Sequence, residues 1–88
     1  MKQLSVIIPA YNSEKYIERC IRSLEAQSLP ESEFEIIVID DGSKDATSKI
    51  IDAKFKKIRL MTRKENLGLP YSVNEGIKVA NSRYIVRV

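Results

Sequence analysis

Two short runs rich in β-branched residues, Leu4–Ile8 (Leu-Ser-Val-Ile-Ile) and Phe34–Ile39 (Phe-Glu-Ile-Ile-Val-Ile), limit what this chain can fold into more than any other feature. Runs of that length, apolar at nearly every position, belong to strands covered on both faces, which in turn requires a parallel sheet with helices above and below it. The residues between the runs change period. Tyr16, Ile17, Cys20, Ile21 and Leu24 recur at helical spacing opposite Glu18, Arg19, Arg22 and Glu25, and Asn12 or Ser13 is placed to cap the free amides of that helix, which must end before Pro30. A second helix is predicted over residues 46–54, with Asp45 as its cap and Ala46, Ile50 and Ile51 inward. A third is predicted from Pro70 to about Ala80, with Val73, Ile77 and Ala80 inward and Gly76 as a weak point. Lys57–Thr62 has the charged character of an edge strand, and Arg83–Val88 makes a fourth strand. Strand and helix therefore alternate as βαβαβαβ, four strands and three helices. The expected fold is α/β: a three-layer, Rossmann-like parallel sheet whose ligand lies at the carboxyl ends of its strands.

Length and charge narrow the classes. Eighty-eight residues form one modest core, so a single domain or part of one is expected. Fifteen Lys and Arg against twelve Asp and Glu leave a net charge of +3, too slight to call for nucleic acid. The densest basic stretch, Lys54, Lys56, Lys57, Arg59, Arg63 and Lys64, flanks an apolar strand and reads as a solvated edge. Cys20 stands alone on the apolar stripe of the first helix and reads as a small core residue. No apolar run is long enough for a signal peptide or a membrane span, and a cytoplasmic setting is expected.

The loops after the strands hold the chemistry. After the first strand comes Pro9-Ala10-Tyr11-Asn12-Ser13, where a dinucleotide enzyme would carry Gly-x-Gly-x-x-Gly. Tyr11 offers a flat face with a hydroxyl, suited to a nucleobase, although on spacing alone it serves equally as an aromatic filling the loop. The second strand ends in Asp40-Asp41-Gly42-Ser43. Adjacent residues leaving a strand point in opposite directions, so Asp40 is assigned to the turn and Asp41 to a ligand. Further on, Asn66 and Gly68 are suited to positive φ, and the helix that follows presents free amides favourable to an anion. Asn74 serves as well for tying that helix to a neighbouring loop as for touching a substrate.

Taken in order, Ser5-Val6-Ile7-Ile8-Pro9-Ala10-Tyr11-Asn12, Ile39-Asp40-Asp41-Gly42-Ser43-Lys44-Asp45, and Asn66-x-Gly68 through Asn74-x-Gly76-Ile77 to Tyr84-Ile85 resemble the amino-terminal half of a family 2 glycosyltransferase, an inverting nucleotide-sugar enzyme of GT-A fold. The resemblance implies that Pro9, Ala10 and Tyr11 line a base and ribose pocket, that Asp41 hydrogen-bonds the base, and that the Asn66–Gly68 loop borders the donor. It implies a nucleotide-sugar donor, UDP-linked in most relatives, and a saccharide or lipid-linked acceptor in a longer parent protein making polysaccharide or envelope glycan, at the inner face of a membrane. Val73 stands where many relatives carry Arg near the diphosphate, so that contact does not carry over. A divalent metal, Mg or Mn, is expected for the parent, on an Asp-x-Asp motif expected beyond Val88. No catalytic or metal-ligating residue is assigned within these residues, and the piece alone is expected to transfer nothing.

Two other readings stay open on the residues. A nucleotide-binding or receiver-like regulatory module would also place acids at a strand end, but a receiver needs its phosphorylated Asp after the third strand, where Met61-Thr62-Arg63 has none. A structural assembly piece would use the last strand as an unpaired edge, inviting self-association.

Overall fold

In the computed structural model, which describes residues 1–27 and 30–88, the chain forms one four-stranded parallel sheet between two layers of helix. The elements follow in the order β1 (Lys2–Ala10), α1 (Ile17–Glu25), a 3-10 turn (Glu31–Glu33), β2 (Phe34–Asp40), α2 (Thr47–Lys54), β3 (Arg59–Thr62), α3 (Leu69–Val79) and β4 (Ser82–Arg87). The strands lie side by side as β3-β2-β1-β4, all parallel. The chain winds β1, β2, β3 in one direction and then returns through α3 to lay β4 on the far side of β1. That reversal defines where a doubly wound sheet opens a crevice at its carboxyl edge.

Alternation along the two central strands builds a core on each face. Val6, Ile8, Ala10, Ile36 and Val38 pack under α1 and α2, against Ile17, Ile21, Ile51 and Phe55. Ile7, Ile37 and Ile39 face α3, against Val79 and Ala80, with Met61 beside them. Fully burying an aliphatic side chain of this kind stabilises by about 1.5–3 kcal/mol, so β1 and β2 hold most of the hydrophobic stabilisation. Cys20 lies half-buried against the first of these cores, as its place on the stripe predicts.

The helices differ from expectation in three places. Asn12 and Ser13 do not cap α1 through their side chains; instead the Ser13 carbonyl accepts the N–H groups of Tyr16 and Ile17 in a preceding turn, and the helix begins at Ile17. Tyr16 is consequently 67% exposed rather than inward. In α3 the buried residues are Ser72 and Gly76, while Ile77 is 45% exposed and Val73 only half-buried. The cause is Gly76 itself: a Cβ there would lie 2.6 Å from Cγ2 of Ile7, so the helix sits directly on the strand and turns its smallest residues inward. Gly76 is a close-approach residue, and the helix-propensity penalty is secondary. Finally, α2 begins at Thr47 and buries Thr47 with Ile51, while Ala46 and Ile50, expected inward, are only half-buried; Asp45 lies just ahead of the helix, accepting the Thr47 N–H at 2.9 Å and its hydroxyl at 2.5 Å.

Candidate functional site

The carboxyl ends of β1 and β2 are fastened to each other before any ligand is considered. Asn12, in the left-handed region at φ 50°, donates its N–H to the Ser43 hydroxyl at 2.8 Å and accepts the Lys44 N–H on Oδ1 at 2.8 Å. The Ser13 N–H donates to the buried Thr47 hydroxyl, and the Glu14 N–H to the Asp45 carboxylate. Burial pushes the Asp45 carboxyl up, but the Thr47 hydroxyl and the N–H groups of Thr47 and Glu14 outweigh it and hold it below the ordinary range.

Asp40 and Asp41 diverge as strand geometry requires. Asp40 accepts the Ser43 N–H at 3.0 Å and closes the turn. Asp41, also buried, crosses to the next loop, where Oδ1 accepts the Leu67 N–H at 2.9 Å and Oδ2 the Gly68 N–H at 2.8 Å. Its neighbour reinforces this. Gly42, at φ 78°, lies so close to the same loop that a Cβ would meet the carbonyl carbon of Glu65 at 2.6 Å. Gly68 takes φ 100° as the turn demands, whereas Asn66 does not adopt positive φ: among the described residues other than glycine only Asn12 does. The loop is shaped by Gly68 and by the carboxylate beneath it.

These loops enclose a cavity of about 130 Å³ lined by Pro9, Ala10, Tyr11, Asp41, Asn66 and Gly68, the six residues singled out in the sequence, together with Leu69 and Ser72. Pro9, Ala10, Leu69 and the Tyr11 ring give the lining its apolar surface, and Asp41, Asn66, Ser72 and the Tyr11 hydroxyl its polar groups. Tyr11 is 47% exposed, so its ring is available to a flat partner and is not filling the loop. Leu69 and Ser72 escaped the sequence reading; the available signal was that Ser72 stands one helical turn after Gly68, which puts both on one side of α3. Arg63 does not lie on the solvated edge that its charge predicts. Its guanidinium is largely buried, with Nη2 donating to the Tyr71 carbonyl at 3.1 Å and Nε 3.8 Å from Asp41 Oδ1. Lys54 and Lys57 do behave as surface residues, pairing with Glu18 and Glu31.

A larger hollow of about 560 Å³ opens at the amino ends of the strands, around Lys2, Phe34, Glu35, Lys57 and Arg59. It contains none of the loops that follow strands, and size does not outweigh position in a sheet of this topology. Among the described residues no three His, Cys, Asp or Glu side chains are grouped to hold a metal ion, and Asp41 already gives both oxygens to backbone amides. The residues present do not fit a metal site. No helix among them is long and apolar enough to cross a membrane.

Comparison with known proteins identifies the family and the fold. The sequence model of glycosyl transferase family 2 matches residues 5–88. The chain belongs to that family. It is 37% identical over 90 residues to a poly(ribitol-phosphate) beta-glucosyltransferase of Bacillus spizizenii, covering 98% of this chain and 14% of that protein. The crystal structure of residues 1–349 of TarS from Staphylococcus aureus superposes with a TM-score of 0.89 at 37% identity, over 98% of this chain and 26% of that one. TarS itself is a poly(ribitol-phosphate) beta-N-acetylglucosaminyltransferase, and its structure has also been solved with UDP-GlcNAc. Glucosyl-3-phosphoglycerate synthase of Mycobacterium tuberculosis, solved with Mn2+ and UDP, superposes at 0.80 with 25% identity, over 99% of this chain and 33% of that one. The α/β sheet is thus the GT-A arrangement of nucleotide-sugar glycosyltransferases, and the chain spans 14% to 29% of the length of these curated relatives.

Proposed function

We propose that this chain is the donor-nucleotide half of a family 2 glycosyltransferase, and that the cavity at the ends of β1 and β2 receives the base and ribose of a UDP-linked sugar. The observation that carries the proposal is the convergence of Pro9, Ala10, Tyr11, Asp41, Asn66 and Gly68 on one cavity from three separate loops. The Tyr11 ring lies against the base. Asp41, acceptor-only when ionised, uses a remaining lone pair for a base N–H, while Asn66 and Gly68 border the donor. An apolar cavity of about 150 Å³ holds benzene, so a cavity of about 130 Å³ has room for a single six-membered ring. The uracil imide also supplies the N–H donor that a carboxylate needs. Relatives solved with UDP or UDP-GlcNAc support the same donor class.

In the full-length protein the acceptor hydroxyl oxygen forms the new bond to the anomeric carbon as the nucleoside diphosphate leaves with the bonding electrons, and a base takes the hydroxyl proton. Asp41 is the one carboxylate lining the cavity and is committed to the loop, so no residue here is assigned as that base. A divalent metal of the kind bound by the synthase neighbour would rest on residues outside this chain. The acceptor is a saccharide or lipid-linked glycan, in keeping with relatives acting on poly(ribitol-phosphate) and dolichyl carriers, and the setting is cytoplasmic, at a membrane's inner face.

Titrating the chain with UDP by NMR, with and without Mn2+, tests the reading. Weak, saturable, metal-independent binding with shifts centred on Tyr11, Asp41 and Gly68 is expected, without sugar transfer. Shifts elsewhere, or none at millimolar UDP, overturn it. The apolar residues of β4 are exposed on both faces, which favours pairing between copies along that edge, and light scattering should show mass rising with concentration.

A further inference from the structure

Ser72 is fully buried, lines the cavity, and its hydroxyl has no hydrogen-bond partner among the described residues. That is unexpected. A serine in a helix ordinarily turns its hydroxyl back to the carbonyl four residues earlier, yet here the Gly68 carbonyl receives only the Ser72 N–H, at 3.3 Å. A buried polar group left unpaired is destabilising enough that native structures rarely keep one without a reason. Packing against Ile7 explains why a small residue is needed at Gly76 but says nothing about a hydroxyl one turn earlier.

We propose that Ser72 is a specificity residue for the nucleobase, donating its hydroxyl to a ring carbonyl that flanks the N–H read by Asp41. This rests on the nucleotide reading of the cavity. The edge of a uracil ring runs carbonyl, N–H, carbonyl. A site that places an acceptor at the centre of that edge gains from a donor beside it, and Ser72 is the uncommitted hydroxyl in the same lining as Asp41. The cytosine ring presents an unprotonated nitrogen at the centre of the corresponding edge, which the Asp41 carboxylate repels. The hydroxyl is shut off from bulk water, so a flat ring reaches it only as the lining shifts, and Tyr11 and Leu69, which line the same cavity, are each close to half exposed.

The test compares UMP, 2-thio-UMP and 4-thio-UMP, because sulfur is a poorer hydrogen-bond acceptor than oxygen. The unmodified chain is expected to bind one of the two thio analogues about three- to tenfold more weakly than UMP, the range of one neutral hydrogen bond. Ser72→Ala should lose a similar factor for UMP and respond to neither sulfur, while keeping its circular dichroism spectrum. Equal affinity of both proteins for UMP overturns the proposal, as does a sulfur penalty that survives in Ser72→Ala. The thio series on the unmodified chain needs no variant, and indifference to both sulfurs there also overturns it. Binding of UMP that depends on Tyr11 but not on Ser72 defeats this inference alone, whereas failure of the unmodified chain to bind UMP defeats the nucleotide reading beneath it.

Discussion

Strands β2 and β4 each carry a run of apolar residues, are both parallel to β1 and are both paired with it over several residues, yet they occupy different environments. Ile36 to Ile39 are almost entirely removed from solvent, whereas Tyr84 is 61% exposed, and Ile85 and Val86 are each close to half exposed. Composition explains the exposure of Arg83 and Arg87 but not that of Tyr84, Ile85 and Val86. What separates them is cover: β2 has a strand on each side, α1 and α2 on one face and α3 on the other, while among the described residues β4 pairs with β1 alone and its apolar side chains stay exposed. Backbone pairing holds β4 in place, but burial, and with it most of the stabilisation, is confined to the centre.

The largest expected effect lies in that centre. Ile37→Ala removes a side chain with no exposure and should lower unfolding stability by about 2–5 kcal/mol, read from the midpoint of a urea titration. A loss under 1 kcal/mol would break the contrast. Gly76→Ala comes next. Alanine favours a helix by up to about 1 kcal/mol over glycine, but the new methyl would overlap the Ile7 side chain at 2.6 Å, and overpacking of a core costs about 1–3 kcal/mol. Net destabilisation of about 1–2 kcal/mol in the same titration is expected, and a gain would show that α3 is free to lift off the strand.

Glu35 links the two regions, since its carboxylate accepts the Ser5 hydroxyl within the central pair and the Asn81 N–H at the start of β4. Burial pushes its pKa up, but those two hydrogen bonds, with Arg59 and Lys2 nearby, outweigh it and leave the carboxyl below its ordinary value. A depressed carboxyl contributes stability that is present above its unfolded value and lost as pH falls through the folded one. Thermal midpoints should therefore decline on acidification through and below the ordinary glutamate range, and Glu35→Gln should flatten that decline. Parallel curves for the two proteins would show that the link is not made. The smallest effect belongs to the edge: Val86→Thr should change stability by no more than about 0.5 kcal/mol in urea, while weakening any concentration-dependent association seen by light scattering. A larger loss would mean that β4 is covered after all.

Much of this was legible without coordinates because the two hydrophobic periods are local properties. The β-branched runs at Leu4–Ile8 and Phe34–Ile39 and the stripe through Ile17, Ile21 and Leu24 name their own elements. The divergence of Asp40 and Asp41 follows equally from the pleat of a strand. The misreadings share a different cause. Ile77 was placed inward because it is apolar at helical spacing, and Arg63 outward because it is charged, but the first depends on how closely α3 approaches Ile7 and the second on a carboxylate from another loop.

The chain's own pattern of residues thus determined which segments are strands and helices, that the sheet is parallel and doubly covered, and which loops hold the polar chemistry, since each follows from steric and solvation preferences of neighbours in sequence. Only the tertiary structure decided the order β3-β2-β1-β4, the turning of Ser72 and Gly76 toward the sheet, and the commitment of Asp41 to the Leu67 and Gly68 amides. Those are contacts between segments far apart in sequence, 26 residues for Asp41 and Leu67, set by close packing and hydrogen-bond satisfaction, and no local preference encodes them.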